Sequence, residues 1–410
     1  MASVLIKGLA NFNSTALLVG LCKTPRKRHN VAIMQIAGIT GRELRQNRPP
    51  KPPPYDYKHK KTTPWTYFTD PMLERFDDNT KIVIIEGMPT VGKDKIAKQL
   101  AEDLEMKYIP PPNFDDLWIN PYGFDLRSLN HKFPANAQFY DFSTFLKNPK
   151  HINVAAMQLA MLFLRCNQYV DALAHLFSTG EGVVMQRSPW TDHIFMEAMA
   201  ARGFVSKEAL DYHRCAVKGT LHDFLKPHLT IYLDAPVSVI KENIKKRNRL
   251  HEVDSPALTD EYLTDLESRY KEYLRTVTTS GNLLIYDWST EGDVGVVVED
   301  IERLDFEAVD RNDTRFRDWK FDPEWDIHQK RYEYTMTKSR LLAPLIIARF
   351  DVPELYLTGQ EDELWDNIMD HVETERYNPG FVPGFDKGIL FKSKATFEDF
   401  LPRSKVPKEK

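Results

Sequence analysis

The chain has 410 residues, of which 42% are hydrophobic and 28% charged, and its formal net charge is −4 at pH 7. This length and composition predict one large globular domain with extensions, or two domains. No stretch reaches the roughly 18 to 20 uninterrupted apolar residues of a membrane span, and nothing indicates a nucleic-acid partner. Cys22, Cys166 and Cys215 lack CxxC or CxxH spacing, so neither a zinc site nor a disulfide framework is predicted.

Residues 1–42 are basic and contain no Asp or Glu. Small polar residues lie among short apolar runs there, a composition typical of a mitochondrial transit peptide. A disordered basic tail is the alternative interpretation. The basic residues are Lys7, Lys23, Arg26, Lys27, Arg28 and Arg42. Without those six positive charges the net charge of −4 becomes −10, so the chain that follows, from about Glu43, is acidic.

Residues 43–80 are predicted to form a linker rich in Pro and Lys. Within it, residues 47–64 read NRPPKPPPYDYKHKKTTP and contain six prolines. The segment lacks apolar periodicity and does not favour a helix or a strand. We therefore predict an extended linker or a strap.

Residues 81–94, KIVIIEGMPTVGKD, predict a buried strand that ends in a phosphate-binding loop. An unbroken aliphatic run of this kind is typical of a strand buried on both faces of a parallel sheet. Gly87, Gly92 and Lys93 match a loop whose backbone N–H groups and Lys bind phosphate. Apolar residues at helical spacing follow over residues 96–104, as the motif requires. A Gly-rich turn that binds no ligand is the alternative.

From residue 81 to about 303 the pattern alternates strands with helices, which is typical of a parallel sheet covered on both faces. A helix with an apolar core stripe is predicted at about residues 154–178. Further strands are predicted at Lys107–Pro110, Gly182–Gln186, His228–Asp234 and Asn282–Tyr286. The predicted fold class is α/β: a P-loop kinase-like five-stranded parallel sheet, with an N-terminal linker and a helical or irregular C-terminal extension.

The extension is predicted to cover residues 304–410, where the sheet alternation stops. Helical stretches are predicted near residues 326–349 and 360–376. Residues 377–392, YNPGFVPGFDKGILFK, combine Pro-Gly pairs with aromatic residues. They predict an irregular ordered segment on a partner surface or, as an equal alternative, a strap on the same chain.

Dispersed motifs between residues 80 and 303 resemble the deoxynucleoside kinase family. Gln186-Arg187-Ser188 follows the third predicted strand where the family has Glu-Arg-Ser, and residues 262–266 match its Tyr-Leu-x-x-Leu segment. Other matches are a basic helix end resembling the family's arginine-bearing lid and a Gln on the long helix resembling its base-recognising Gln. The resemblance implies that the nucleotide contacts are Gly87, Gly92, Lys93, Gln158, Arg187, Arg247 and Arg249.

The chain departs from the family at three positions that phosphoryl transfer requires. Asp94 stands where a Ser or Thr holds Mg²⁺, and its carboxylate repels phosphate. Gln186 replaces a Glu, and residues 110–112 are prolines where the family has its general base. Asp115 or Asp116 could replace this base only by a shift of a few sequence positions. A catalytic group that is misplaced by about 1 Å already costs about a hundredfold in rate. We therefore predict no catalytic residue and no metal ligand.

The whole chain most resembles one branch of the family, the deoxynucleoside-kinase-like accessory subunits of mitochondrial respiratory complex I. Tyr377, Pro379, Gly380 and Phe381 reproduce that branch's Tyr-x-Pro-Gly-aromatic segment. The resemblance implies a non-catalytic subunit in the matrix, peripheral on the inner membrane, whose partners are other complex I subunits. It requires no cofactor and allows a bound ATP or deoxynucleotide. The alternatives are an active mitochondrial deoxynucleoside or nucleotide kinase and a nucleotide-sensing subunit.

Overall fold

The computed structural model describes residues 38–46, 48–63, 65–119, 123–306, 314–321, 325–347 and 351–370. Most of the predicted transit peptide and the predicted tail at residues 377–392 lie outside the described residues.

The core is a five-stranded, fully parallel sheet with the strand order β2-β3-β1-β4-β5. Its strands are β1 Ile82–Gly87, β2 Lys107–Ile109, β3 Val183–Gln186, β4 Leu229–Asp234 and β5 Asn282–Asp287. The predicted parallel sheet is confirmed, with strand bounds shifted by a residue or so. β2 ends before Pro110, which has no N–H to donate to the ladder. Because the strand order reverses around β1, the carboxyl ends of β1, β3 and β4 border a crevice.

Helices lie before, between and after the strands, and none of those in the described chain is long and apolar enough to cross a membrane. The α-helices are α1 Thr66–Thr69, α2 Lys93–Asp103, α3 Asp115–Trp118, α4 Phe142–Lys147, α5 Val154–Thr179, α6 Asp192–Ala201, α7 Lys207–Leu221, α8 Val237–Arg247, α9 Leu250–Val253, α10 Asp260–Val277, α11 Val294–Glu302, α12 Trp325–Met336, α13 Lys338–Leu342 and α14 Gly359–Asp370. Short 3₁₀ turns lie at Arg42–Arg45, Leu73–Arg75, Leu126–Lys132, Ala135–Ala137, Pro189–Thr191, Arg317–Trp319, Ala343–Ile346 and Pro353–Leu355.

Alternate side chains of β1 enter two apolar cores on opposite faces of the sheet. Ile82 and Ile84 are fully buried in a core that α5 and α12 also line. Val83 and Ile85 are fully buried in a second core with residues of α2, α10 and α11. Both faces of the central strand are therefore covered, which explains its unbroken aliphatic sequence.

The long helix α5 lies close to its predicted bounds, and its predicted apolar stripe is confirmed as core. Tyr169 and Leu173 are fully buried. The helix ends at Gly180, whose φ is +71°, and a Cβ there would lie 2.3 Å from the carbonyl oxygen of Arg75. Only glycine fits this helix end, because it tolerates positive φ and leaves room for the neighbouring backbone.

Residues 48–63, which we call the strap, form no helix or strand but lie against the end of α5. Lys51 donates a hydrogen bond from Nζ to the Gly180 carbonyl oxygen at 3.0 Å. The Tyr55 backbone N–H donates to the Ser178 carbonyl oxygen at 3.1 Å. Of the two predicted alternatives, a free linker or a strap, this part of the chain adopts the second.

The helical stretch predicted near residues 326–349 is present as several shorter elements. The structure places two shorter helices, α12 and α13, and a 3₁₀ turn there. The helix breaks at Thr337, whose hydroxyl donates to the Glu333 carbonyl oxygen at 2.9 Å, and Pro344 stands in the first turn of the 3₁₀ segment. A hydroxyl bonded back to the preceding turn bends a helix, and a proline removes a donor from the backbone ladder.

The helix predicted at residues 360–376 is present as α14, whose last described residue is Asp370. Trp365 of α14 stacks on Phe133 with ring centroids 6.4 Å apart. The rest of that prediction lies outside the described residues, and the predicted domain boundaries after residues 42, 80 and 303 stay predictions.

Candidate functional site

The loop after β1 has the backbone that its two glycines predict. Gly87 has a φ of +146°, and a Cβ there would lie 2.8 Å from the Leu233 carbonyl oxygen. Gly92 has a φ of +93° and directly precedes α2. Both conformations are readily adopted only by glycine. The loop therefore leads into a helix N-terminus, where free backbone N–H groups favour an anion.

Lys93 lies inside this loop and is buried. Its Nζ donates hydrogen bonds to the carbonyl oxygens of Gly87 at 2.9 Å and Met88 at 2.6 Å. Burial lowers the pKa of Lys93 well below its usual range, and the nearby Arg187 lowers it further, whereas Glu86 opposes the shift. Because several cations crowd this space, a bound anion would stabilise it.

Asp94, the residue that departs from the loop motif, turns toward the ends of β2 and β3. Its Oδ1 accepts hydrogen bonds from the Tyr108 hydroxyl at 2.6 Å and from Gln186 Nε2 at 3.2 Å. Its Oδ2 accepts from Lys98 Nζ at 2.8 Å. The Lys98, Tyr108 and Gln186 hydrogen bonds lower the pKa of Asp94. Two of the three altered positions, 94 and 186, therefore contact each other.

Asp94 and Gln186 stand at two of the positions that would meet the Mg²⁺ ion of phosphoryl transfer, and both side chains are engaged in hydrogen bonds with protein groups. Mg²⁺ demands oxygen ligands in near-octahedral geometry. Both oxygens of Asp94 accept hydrogen bonds from protein groups, and Gln186 supplies a neutral amide whose Nε2 also donates to the Tyr108 hydroxyl at 2.8 Å.

The segment after β2 offers no base in place of the prolines. The Pro110 carbonyl oxygen accepts a hydrogen bond from Gln168 Nε2 at 2.6 Å. Asp115 is paired with Arg127 at 2.7 Å, and Asp116 accepts from the Asn113 backbone N–H at 3.2 Å. Asp115 and Asp116, the two residues that could have replaced the base, therefore both contact nearby residues through an ion pair or a hydrogen bond.

Arg187 is a half-buried charged group of this site. It has a φ of +58°, which is unusual for a residue with a side chain and typical of functional sites. Its guanidinium lies 4.5 Å from the ring centroid of Phe195, and it forms no ion pair with any residue that the structure describes. Burial lowers its pKa, and Glu86 and Tyr270 oppose that effect.

Glu86, the last residue before Gly87, is fully buried beside the loop. Its Oε1 accepts hydrogen bonds from the Ser188 N–H at 2.7 Å and from the Thr191 hydroxyl at 3.0 Å. Its Oε2 has no partner among the described residues, and the same is true of the hydroxyls of Tyr232 and Tyr270. Buried polar atoms are normally paired, so these groups are consistent with a polar ligand or water nearby.

Replacing Glu86 with Gln is expected to change how stability depends on pH. Burial raises the pKa of Glu86 above its unfolded value of 4.5, although the Ser188 hydrogen bond partly opposes this. A raised pKa gives stability below pH 4.5 that is lost as pH rises. The variant should therefore gain stability relative to wild type as pH rises above 4.5, measured by urea unfolding. A pH-independent difference would show that Glu86 stays ionised in the fold.

Gln158, the predicted base contact, belongs to a buried polar cluster on α5, α6 and α7. Asp192 accepts hydrogen bonds from Gln158 Nε2 at 2.9 Å, Arg165 Nη1 at 2.5 Å and His213 Nε2 at 2.9 Å. Burial raises the pKa of Asp192, but Arg165 and His213 lower it by more. The amide nitrogen of Gln158 therefore donates a hydrogen bond to Asp192 in this structure.

Arg247 and Arg249, the other predicted phosphate contacts, both face Glu252. Their Nη1 atoms lie 3.8 Å and 3.4 Å from its carboxylate oxygens. Both guanidinium groups stay partly exposed at the end of α8, and Arg247 is close enough to contribute to lowering the pKa of Lys93. Both arginines are therefore held beside Glu252, and the charge of Arg247 also acts on Lys93.

Sequence reasoning missed four buried groups of this region: Glu86, Arg165, Asp192 and His213. Two of them carried a usable signal. Glu86 ends a run of apolar residues, and Arg165 lies in an apolar helix stripe, where charged residues are rare unless paired. The pairing of Asp192 with His213 joins two helices and has no local sequence signal.

Comparison with known proteins agrees with the resemblance stated from the sequence. The family model for deoxynucleoside kinases matches residues 83–318. NADH dehydrogenase [ubiquinone] 1 alpha subcomplex subunit 10, mitochondrial, of Mus musculus is 30% identical over 76% of this chain and 84% of that protein. The Bos taurus protein of the same name is 33% identical over 58% of this chain and 69% of its own length. Deoxyguanosine kinase of Dictyostelium discoideum is 27% identical over 55% of this chain and 70% of its own.

Among solved structures, deoxyadenosine kinase from M. mycoides with bound dATP is 23% identical, covering 54% of this chain and 96% of that chain at a TM-score of 0.40. The family match and the extended similarity to the subunit 10 proteins carry the assignment. The chain belongs to the deoxynucleoside kinase family and, within it, groups with the alpha subcomplex subunit 10 proteins.

Proposed function

We propose that the chain is a non-catalytic accessory subunit of mitochondrial NADH:ubiquinone oxidoreductase, complex I, and contributes to its assembly and stability. The observation that carries this proposal is the similarity to the mouse subunit, which spans 84% of that protein. The aligned part of this chain is longer than the part that matches the kinase family model. The likeness therefore extends beyond the part of the chain that matches the kinase family.

The proposed location is the matrix, peripheral on the inner membrane. The basic, acid-free composition of residues 1–42 supports mitochondrial import. The relatives of the subunit 10 type carry the word mitochondrial in their names. Other subunits of complex I are the proposed partners.

The contacts around the phosphate-binding loop support the absence of catalysis. Asp94 and Gln186 hydrogen-bond to each other, so neither position offers the family's metal ligand. The segment after β2 provides prolines in place of a base, and Asp115 is held by Arg127. A kinase needs the metal, the base and the charge-stabilising cations together, and only the cations remain.

A bound nucleotide, ATP or a deoxynucleotide, is compatible with the same site and is proposed as a ligand that the subunit's assembly role does not require. Lys93, Arg187 and the glycine loop supply cations and backbone donors for phosphate. Arg187 has no ion pair with a described residue, and Glu86 has an unpartnered oxygen. Calorimetry with ATP and with dATP, in the presence and absence of Mg²⁺, tests this directly, and a lack of affinity for both would remove the ligand from the proposal.

Kinase turnover tests the non-catalytic assignment. The mature chain is incubated with Mg²⁺-ATP and each of the four deoxynucleosides, alongside an active deoxynucleoside kinase as a positive control. We expect no product above background. Turnover that Lys93→Met abolishes would contradict the proposal and establish the alternative, an active mitochondrial kinase.

Replacing Lys93 with Met is expected to leave the subunit's role intact. Cells depleted of the chain should lose complex I activity, and both the wild-type chain and Lys93→Met should restore it to the same level, because the proposed role needs no phosphoryl transfer. The measurement is NADH dehydrogenase activity per mitochondrial protein, with the amount of each chain matched. If a stable Lys93→Met chain failed to restore activity, the site itself would be required, and the turnover assay would tell catalysis from nucleotide binding.

A further inference from the structure

The last residues of the predicted transit peptide are built into the fold. Residues 38–46 and Arg48, which we call the N-terminal clamp, precede the strap and include a short 3₁₀ turn. Ile39 is fully buried in an apolar core that it shares with β1 and α11. Burial of an isoleucine side chain is a large favourable contribution to folding. The clamp therefore contributes to the core, although composition alone assigns residues 38–42 to the transit peptide.

The backbone of the clamp is hydrogen-bonded to side chains of the sheet domain. The Asn79 amide accepts a hydrogen bond from the Thr40 N–H and donates one to the Thr40 carbonyl oxygen, both at 2.8 Å. The Gly41 N–H donates to Glu302 Oε1 at 2.7 Å. Asn79 is 2% exposed, and a buried amide that lost both partners would destabilise the fold. The domain thus carries side chains whose hydrogen bonds require the clamp.

Ion pairs hold the other end of the clamp on the segment that leads into β1. The Arg45 side chain is 8% exposed and lies 2.6 Å from Asp77 and 3.0 Å from Glu105. Arg48 forms an ion pair with Asp78, which is also buried. Arginine forms several directed hydrogen bonds to carboxylates through its planar guanidinium. The clamp is therefore fastened by apolar, backbone and ionic contacts together.

These contacts begin at Gly38, the first residue that the structure describes. The buried Lys81 donates a hydrogen bond from Nζ to the Gly38 carbonyl oxygen at 3.0 Å. Five of the six basic residues within residues 1–42 stand before position 38. The sixth, Arg42, lies in the clamp, and its side chain is exposed. A leader that ends before residue 38 therefore keeps the basic, acid-free composition of an import signal.

We propose that proteolytic processing on import cleaves the chain before Gly38, so that the N-terminal clamp remains in the mature subunit. Cleavage after residue 42 would remove Ile39 from the core and take away the partners of Asn79 and Glu302. A backbone that is buried and hydrogen-bonded also resists trimming once the chain has folded. The inference rests on the proposed mitochondrial import and names the part of the leader that is kept.

The first residue of the chain in mitochondria tests the proposal. The full-length precursor is expressed with a C-terminal affinity tag, purified from isolated mitochondria, labelled at its free N-terminal amine and identified by mass spectrometry. We expect the main species to begin at or before residue 38. A main species in mitochondria that begins after Ile39, or one that still begins at Met1, would overturn the inference alone. A chain found outside mitochondria would contradict the proposed import, and the inference would fall with it.

Limited digestion with trypsin tests whether the buried residue holds the clamp. Arg42 offers an exposed cleavage site within it. Ile39→Ser removes the buried side chain, and Leu44→Ser is the matched control, because Leu44 lies in the same segment and is 66% exposed. Cleavage by a protease follows the population of the locally open form. Ile39→Ser should therefore be cut after Arg42 about tenfold faster than wild type, and Leu44→Ser at the wild-type rate.

Glu302→Ala is a second variant, which leaves the core unchanged and removes only the acceptor of the Gly41 N–H. It should be cut after Arg42 about fivefold faster than wild type. Faster cutting after Arg42 without new cuts elsewhere in the chain would show that the clamp opens locally. Equal rates for wild type, Ile39→Ser and Glu302→Ala would overturn the inference, because the clamp would then not be held by the contacts that assign it to the mature chain.

Discussion

Replacing Asp70 with Asn is expected to lower the free energy of unfolding by about 3 to 5 kcal/mol, since it leaves two buried cations without a counter-charge. Asp70 accepts hydrogen bonds from Arg75 and from Arg331. The side chains of these arginines are 3% and 0% exposed. Burial raises the pKa of Asp70, but the two arginines lower it by more, so it lies below the unfolded value of 3.8.

Urea unfolding at pH 7 measures this effect. Glu291→Gln is the control, because the Lys95–Glu291 pair is 72% and 62% exposed and pairs of this kind contribute about 0 to 1 kcal/mol. In wild type the stability that Asp70 contributes is present above pH 3.8 and is lost as pH falls through its lowered pKa. A loss below about 1 kcal/mol for Asp70→Asn would contradict this account of the network.

The Asp70 network matters because it joins segments that are far apart in sequence. Asp70 follows α1, and Arg331 belongs to α12. The Arg331 guanidinium also lies 4.2 Å from the ring centroid of Tyr55 in the strap. The network therefore joins the segment before β1 to the C-terminal extension. Arg75 also donates from Nη1 to the Ser178 carbonyl oxygen of α5 at 3.2 Å, which connects the network to the helices that cover the sheet.

Replacing Asp192 with Asn is expected to have an effect of the same size, about 3 to 5 kcal/mol. Asp192 and His213 are fully buried, and Arg165 is 6% exposed. Asparagine has the same shape as aspartate but carries no charge, so the buried Arg165 would be left without its counter-charge. The pKa of Asp192 is lowered from 3.8, so its contribution is present above that pH and is lost on acidification.

Asp265→Asn is the control that separates the effect of burial from the effect of losing an ion pair. Asp265 pairs with Arg202 at 2.7 Å, and the two side chains are 27% and 34% exposed. We expect a loss of about 1 kcal/mol or less there. Equal losses at positions 192 and 265 in urea unfolding would mean that burial does not determine the cost of breaking these pairs.

The sequence predicted the local features of the fold well because their signals are periodic. The aliphatic run of β1, the two glycines after it and the apolar spacing of α2 lie within residues 81–104 and need no distant contact. The same holds for α5, whose stripe spans its full length. Strand positions followed from runs of residues typical of buried strands.

The polar contacts of the site depend on long-range packing and were less predictable. Gln158 stays a predicted ligand contact, and the sequence did not show that its amide nitrogen donates to Asp192, a residue 34 positions away. Asp94 was predicted to repel phosphate; the structure instead turns it toward Tyr108 and Gln186, on neighbouring strands. Which side chains meet at the carboxyl edge of the sheet follows from strand order, which a single sequence does not state.

The site residues that the sequence named are partly assembled. The glycine loop, Lys93 and Arg187 form one cationic region, and Arg247 lies near it. Arg249 faces Glu252. The assignment of these residues to nucleotide contact stays a prediction, and the calorimetric titrations test it.

Native-gel fractionation of gently solubilised mitochondria, probed for this chain and stained for NADH dehydrogenase activity in the gel, tests the central claim most directly. The account predicts that the chain migrates in the very large band that carries the activity. Migration near the size of a monomer or dimer, with no chain in the active band, would contradict it.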